Sequence, residues 1–184
     1  SRRGKIGETW WSTRFLSALE ADSDAGRLAR GRSYARSGQA ISMSLGAGEV
    51  IAEVQGSRRR PYKVRIEISP FSASEWAAVE KELAGQAIFA AALLAGEMPV
   101  EIEDVFTAAG LSLFPSSPRE LLTGCSCPDY DDRCKHVAAV CYLLAESFDK
   151  DPFQLLAWRG RPRHELLAGL RGNRKAPEGD TGHG

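Results

Sequence analysis

The sequence of 184 residues has no long apolar stretch. Its longest nearly unbroken apolar run, residues 87–95, is nine residues, less than half of what a membrane-spanning helix needs. No charged n-region followed by an apolar segment and a small-residue cleavage site opens it. The expected address is therefore the cytoplasm, with no membrane partner. Net charge is absent as well, since 24 Lys+Arg balance 24 Asp+Glu. Cysteine is missing from the first 124 residues, which argues against a disulfide-dense framework. There is no Walker A sequence, no H-E-x-x-H pair and no deaminase pairing of H-x-E with P-C-x-x-C. Gly46-Ala47-Gly48 lacks the third glycine of a dinucleotide fingerprint and reads as a turn. What is present is ordinary globular material, 43% hydrophobic and 26% charged, enough for one compact domain or two small ones.

The neutral total hides an uneven distribution. Residues 1–65 carry net +7 and residues 66–110 carry net −7. Such asymmetry fits a surface for a polyanion or an acidic partner, and equally two halves of one domain attracting each other.

Hydrophobic periodicity sets out the elements. Trp11, Phe15 and Leu19 repeat every four residues and predict a helix over 9–19. Trp10 and Trp11 are candidates for base stacking, although the periodicity favours anchoring in a core. A basic helix follows over 27–37, carrying Arg30, Arg32 and Arg36. Alternation then predicts three strands, over 41–45, 49–55 and 62–68, as an antiparallel meander. Its second hairpin is tipped by Arg58, Arg59 and Arg60. Ser72 and Glu75 make a capping-box pattern ahead of one long helix. The stripe of that helix runs Trp76, Val79, Leu83, Ala87, Ala90 and Leu94. Ile88 and Phe89 lie off the stripe, so its C-terminal half is expected to be buried on more than one side. Shorter helices are predicted around 102–109, 137–148, 153–158 and 164–170, and disorder from residue 172 onward.

All four cysteines, Cys125, Cys127, Cys134 and Cys141, lie within seventeen residues. Clustered cysteines without a secretory context more often bind metal than pair as disulfides. Cys125-Ser126-Cys127, six residues, then Cys134-Lys135-His136 spells C-x-C-x6-C-x-H. An extended strand would project Cys125 and Cys127 to one face. Cys134 and His136 must straddle the start of a helix, because residues two apart inside one point to nearly opposite sides. Cys141 competes with His136 for the fourth position. It falls on the apolar stripe of Val137, Val140, Leu144 and Phe148, however, so His136 is the expected ligand. Four protein donors close a tetrahedral zinc sphere, which is the structural and not the catalytic arrangement. Asp129, Asp131 and Asp132 lack calcium-loop spacing and read as a solvated knuckle.

The C-x-C…C-x-H core followed by an apolar helix resembles the SWIM zinc finger. Thr9-Trp10-Trp11, Gln55-Gly56-Ser57, Leu94-Ala95-Gly96-Glu97-Met98-Pro99 and Gly110-Leu111-Ser112-Leu113-Phe114-Pro115 make most of residues 8–171 similar to bacterial SWIM zinc finger proteins. The resemblance implies a compact ββα finger that binds DNA or protein. It also implies a SNF2-class helicase as a partner, because such proteins are often encoded beside one.

The combined expectation is an α+β chain with N-terminal helices, a three-stranded antiparallel meander, a long central helix and a C-terminal ββα zinc finger. The helix and meander region is placed at 1–110, the finger at 111–150, a helical extension at 151–171 and a disordered tail at 172–184. Cys125, Cys127, Cys134 and His136 hold one structural Zn2+. Arg30, Arg32, Arg36, Arg58, Arg59, Arg60, Lys63 and Lys135 are candidate contacts to nucleic acid or a partner. The function expected is a non-enzymatic module that takes no small-molecule substrate. It binds nucleic acid or supports a helicase on it; the alternative is a protein–protein adaptor in which the basic and acidic blocks dock partners without touching nucleic acid. The basic part also suits internal docking on acidic residues such as Glu97, Glu101, Glu103 and Asp104.

Overall fold

A computed structural model describes residues 9–20, 33, 35, 40–56, 58–115, 120–128 and 134–175. In chain order its elements are α1 (Trp10–Glu20), β1 (Ala40–Gly46), β2 (Glu49–Val54), β3 (Tyr62–Glu67), α2 (Ala73–Gly85), α3 (Ala87–Leu94), α4 (Ile102–Ala108), β4 (Leu122–Cys125), α5 (Lys135–Lys150), α6 (Phe153–Trp158) and α7 (Arg163–Lys175). The architecture is α+β with one four-stranded antiparallel sheet. None of the described helices is long and apolar enough to cross a membrane. Two compact units divide the chain, one from Ser1–Pro70 and Phe114–Gly160, the other from Phe71–Leu113 and Arg161–Gly184. They cut across the consecutive segments expected from the sequence. The meander and the cysteine segment share the first unit.

The first unit is built on the sheet. Strands β1 to β3 form the expected meander, and register places Val50, Ala52 and Val54 beside Ile66, Val64 and Tyr62 on the buried face. Lys63 and Arg65 alternate onto the exposed face. The β1–β2 turn requires Gly48, whose φ is +73° and whose added Cβ would lie 2.8 Å from the Ile68 carbonyl oxygen. The sheet then continues beyond the meander. β4 pairs antiparallel with β3, Val64 opposite Cys125, giving the order β1-β2-β3-β4. Among the described residues of 111–150, β4 is the one strand, so the finger takes β3 of the meander as its partner strand.

Helix α1 is fixed to the end of α5. The Thr9 N–H (3.0 Å), the Thr9 hydroxyl (2.5 Å) and the Ser12 hydroxyl (2.5 Å) all donate to Asp149 Oδ1. Trp11 Nε1–H donates to the Phe148 carbonyl at 2.6 Å. Below them Phe15 meets Phe148 and Trp158 edge to face, with ring centroids 5.3 and 5.9 Å apart. Trp10 packs edge-on against Trp11 and Phe114. Both tryptophans are thus committed to packing. Arg159, buried at the end of α6, donates from Nη1 to the Ser69 carbonyl at 2.8 Å. Burial pulls its guanidinium down to about 10, against the opposing pull of Glu120.

The basic helix expected over 27–37, with Arg30, Arg32 and Arg36, lies outside the described residues apart from Ser33 and Ala35, both helical.

In the second unit the capping box forms as expected. Ser72 Oγ accepts from the Glu75 N–H, and Glu75 Oε1 accepts from the Ser72 N–H. The single long helix, however, is two. Gln86 is extended (φ −114°, ψ 102°), closing α2 and opening α3. Its N–H donates to the Leu83 carbonyl, and its own carbonyl accepts from Phe89 and Ala90. Gly85 weakens the helix at this point. The break shifts the phase of the buried face to Phe89, Ala90 and Leu93, leaving Ala87 exposed and Ile88 76% exposed. Trp76 and Phe106 meet edge to face at 5.5 Å, with Phe71 against both.

Helix α7 runs to Lys175, past the expected onset of disorder at 172, because Leu166 and Leu170 are fully buried and anchor it beside α2. Glu80 is buried on α2 and accepts a short hydrogen bond from Arg161 Nε. Gly169 leaves the room that carboxylate occupies.

Three donors on one carboxylate oxygen make Asp149 the fastening of α1. Hydrogen bonds to a charged group are each worth about 1.5–3 kcal/mol, so losing all three in Asp149→Ala should lower stability by about 4 kcal/mol or more. Urea unfolding would show this as a lower midpoint, with zinc content unchanged.

Candidate metal centre

The site is assembled from a strand end and a helix start. β4 delivers Cys125 as its last residue. The ladder runs one residue further: the Ser126 N–H donates to the Lys63 carbonyl (3.1 Å), and the Lys63 N–H to Ser126 Oγ (2.9 Å). Cys134 is the N-cap of α5, with extended backbone (φ −63°, ψ 165°), and His136 is the second helical residue. The pair straddles the helix start, as the i, i+2 argument required.

Four donors converge there. One ligand atom from each of Cys125, Cys127, Cys134 and His136 lies within 4.8 Å of the others. His136 Nδ1 stands 3.8 Å from Cys125 Sγ and 3.9 Å from Cys134 Sγ. A tetrahedral zinc with bonds of about 2.3 Å to sulfur and 2.0 Å to nitrogen sets S···N edges of about 3.5 Å and S···S edges of about 3.8 Å. The arrangement therefore fits one zinc ion, with Nδ1 as the ligand nitrogen. Cys141 is buried on α5 and stands outside the group, as its place on the apolar stripe implied. All four cysteines are free thiols.

The local field favours the thiolate at Cys134. The Cys134 thiol is lowered to about 5, first by the hydrogen bond from Cys125. Burial opposes this, and the Val137 and His136 amides at the helix start add to it. The same hydrogen bond, together with burial, pushes the Cys125 thiol up. Three thiolates and one imidazole leave the zinc complex at −1, which the positive end of α5 offsets.

A second layer surrounds His136. The Tyr62 ring lies against its imidazole, centroids 4.8 Å apart and planes at 45°. Gly56, just after β2, sits at the same place: a Cβ there would lie 2.8 Å from Tyr62 Cδ2, closer still to Cε2, and 3.3 Å from His136 Nε2. Neither was assigned a role from the sequence. The signal available was a glycine at a strand end, which marks close approach.

The basic candidates separate in space. Arg58, Arg59 and Arg60 are exposed on the loop that begins at Gly56 and leads into Tyr62, and Lys63 is exposed beside Ser126. Lys135 is half-buried between two ligands. Lys63 stands opposite Glu53 in the sheet. Arg65 is occupied by Glu49 and Glu67, at 3.2 and 3.6 Å.

Residues 109–145 match the family model described as SWIM zinc finger. The chain carries a SWIM zinc finger. Over 183 residues it is also 59% identical to a protein of Mycobacterium tuberculosis (strain ATCC 25618 / H37Rv) described as Uncharacterized protein Rv2102. That alignment covers 98% of this chain and 66% of the relative, so the chain spans somewhat less than two thirds of the relative's length. No solved structure matches the chain.

For a SWIM finger of this geometry, binding free energy is folding free energy. Cys127→Ser and His136→Ala should each abolish stoichiometric zinc, measured by elemental analysis, and melt the start of α5 in amide exchange. Cys141→Ala should keep the ion and cost only packing, about 1 kcal/mol or more.

Proposed function

We propose that the SWIM finger serves as a non-enzymatic zinc rivet for a module that binds nucleic acid through its phosphates, alone or in support of a SNF2-class helicase. Four protein donors leave the ion no position for water or substrate, which is the arrangement of a structural site. The observation that carries the reading is the position of Arg58, Arg59 and Arg60. They are exposed on a loop whose following strand is hydrogen-bonded to the finger strand. They therefore form a fixed cationic edge beside the finger, to which Lys63 and Lys135 add. Arginine side chains match phosphate oxygens by paired donors. No described aromatic residue lies on the exposed face of the sheet, so the expected contact is to the backbone and not to stacked bases.

The adaptor alternative is favoured by a different observation. In the second unit Ile88 and Val100 are 76% and 62% exposed, within the segment that holds Glu97, Glu101, Glu103 and Asp104. That combination suits a basic, partly apolar protein partner.

Fluorescence anisotropy with labelled single- and double-stranded DNA across a salt series separates the two. The nucleic-acid reading expects affinity to fall with salt. Replacing Arg58, Arg59 and Arg60 together by Ala should then flatten the log–log slope by about 2–3, roughly 0.9 for each duplex phosphate no longer neutralised. No binding at low salt overturns it in favour of the adaptor.

A further inference from the structure

We propose that Tyr62 is a positioning residue for the metal centre, that Gly56 must be glycine to admit it, and that this pair makes the arginine loop part of the metal site. The proposal rests on the zinc reading and is independent of what the arginines bind.

The geometry begins at the imidazole. A histidine ligand must be held in one rotamer for its nitrogen to reach the ion, and packing around it decides how much freedom is lost on binding. Cys125, Cys127 and Cys134 surround the Nδ1 side of His136. Tyr62, itself only 6% exposed, packs against the ring. Tyr62 occupies that position because Gly56 has no side chain. An added Cβ would come within 2.8 Å of two ring carbons, closer than real contacts allow. Gly56 is not among the glycines of positive φ, so the requirement is for space and not for backbone freedom. An alanine there has no conformational penalty of its own, and its whole effect passes through Tyr62 and His136.

Gly56 and Tyr62 are also the two ends of the loop that carries Arg58, Arg59 and Arg60. Both ends therefore rest on one ligand of the metal. Gln55 reinforces the first end, its Nε2 donating to the carbonyls of Gly56 (3.2 Å) and Arg58 (2.6 Å). The Lys63 backbone, which accepts from the Ser126 N–H and donates to Ser126 Oγ, reinforces the second. Closing a short loop on two fixed points removes most of its freedom. The ion that fixes His136 thus fixes the arginines as well.

The test uses the full chain and zinc affinity from competition with a chromophoric chelator. Tyr62→Phe keeps the ring and should stay within about twofold of the parent. Tyr62→Leu fills the core without the ring, and Gly56→Ala displaces it; each should weaken zinc about tenfold, the low end of effects seen for residues that orient metal ligands. The double variant should be no weaker than Tyr62→Leu alone, because the clash then has no ring to strike. Parent-like affinity in both single variants overturns the proposal. So does a Gly56→Ala loss that adds in full to that of Tyr62→Leu. A second measurement stands even if Gly56→Ala does not fold. With zinc saturating, trypsin should cut after Arg58 or Arg59 severalfold faster in Tyr62→Leu than in the parent, and equal rates would refute the coupling to the loop.

Discussion

A tetrahedron of three sulfurs and one nitrogen joins the end of a short edge strand to the start of a long buried helix. β4 is an edge strand of four residues, short enough that ladder hydrogen bonds alone fix it weakly. Helix α5 begins at a cysteine that makes no side-chain capping hydrogen bond. Cys125 ends that strand and Cys127 lies two residues beyond it, while Cys134 and His136 come from the start of that helix. One ion on these four donors supplies what each terminus lacks: an anchor for the edge, and a charge-matched start for the helix.

From this corner the order spreads through packing. Helix α5 is buried along most of its length, from His136 to Phe148. At its far end it receives α1 through Asp149, Phe148 and Phe15. At its near end the His136 ring meets Tyr62, and through Tyr62 the meander. The finger is accordingly no appendage. It is a corner of the sheet whose β3 strand follows the cationic loop.

Local chemistry was legible in the sequence because its signals are local. The Cys125-x-Cys127 and Cys134-x-His136 spacings declare a strand end and a helix start by geometry alone. The stripe Val137, Val140, Leu144, Phe148 by itself places Cys141 in the core. The strands showed through alternation and the capping box through Ser72 and Glu75. Other features were not legible, each for a physical reason. Residues 87–94 are apolar on every side and carry no phase, so the break at Gln86 left no trace in the periodicity. The pairing of Val64 with Cys125 spans about sixty residues, and no local pattern encodes such register. Without that register Tyr62 is one more inward residue of a strand, and Gly56 one more loop glycine. The second unit joins Phe71–Leu113 to Arg161–Gly184 through pairs such as Glu80 with Arg161, which consecutive segmentation does not anticipate.

The central claim is that one enclosed ion sits on Cys125, Cys127, Cys134 and His136. X-ray absorption at the zinc edge on the purified full chain tests it most directly. The account predicts three sulfur neighbours at about 2.3 Å, one nitrogen at about 2.0 Å and no oxygen. An oxygen neighbour from water, or a fourth sulfur in place of the nitrogen, would contradict it.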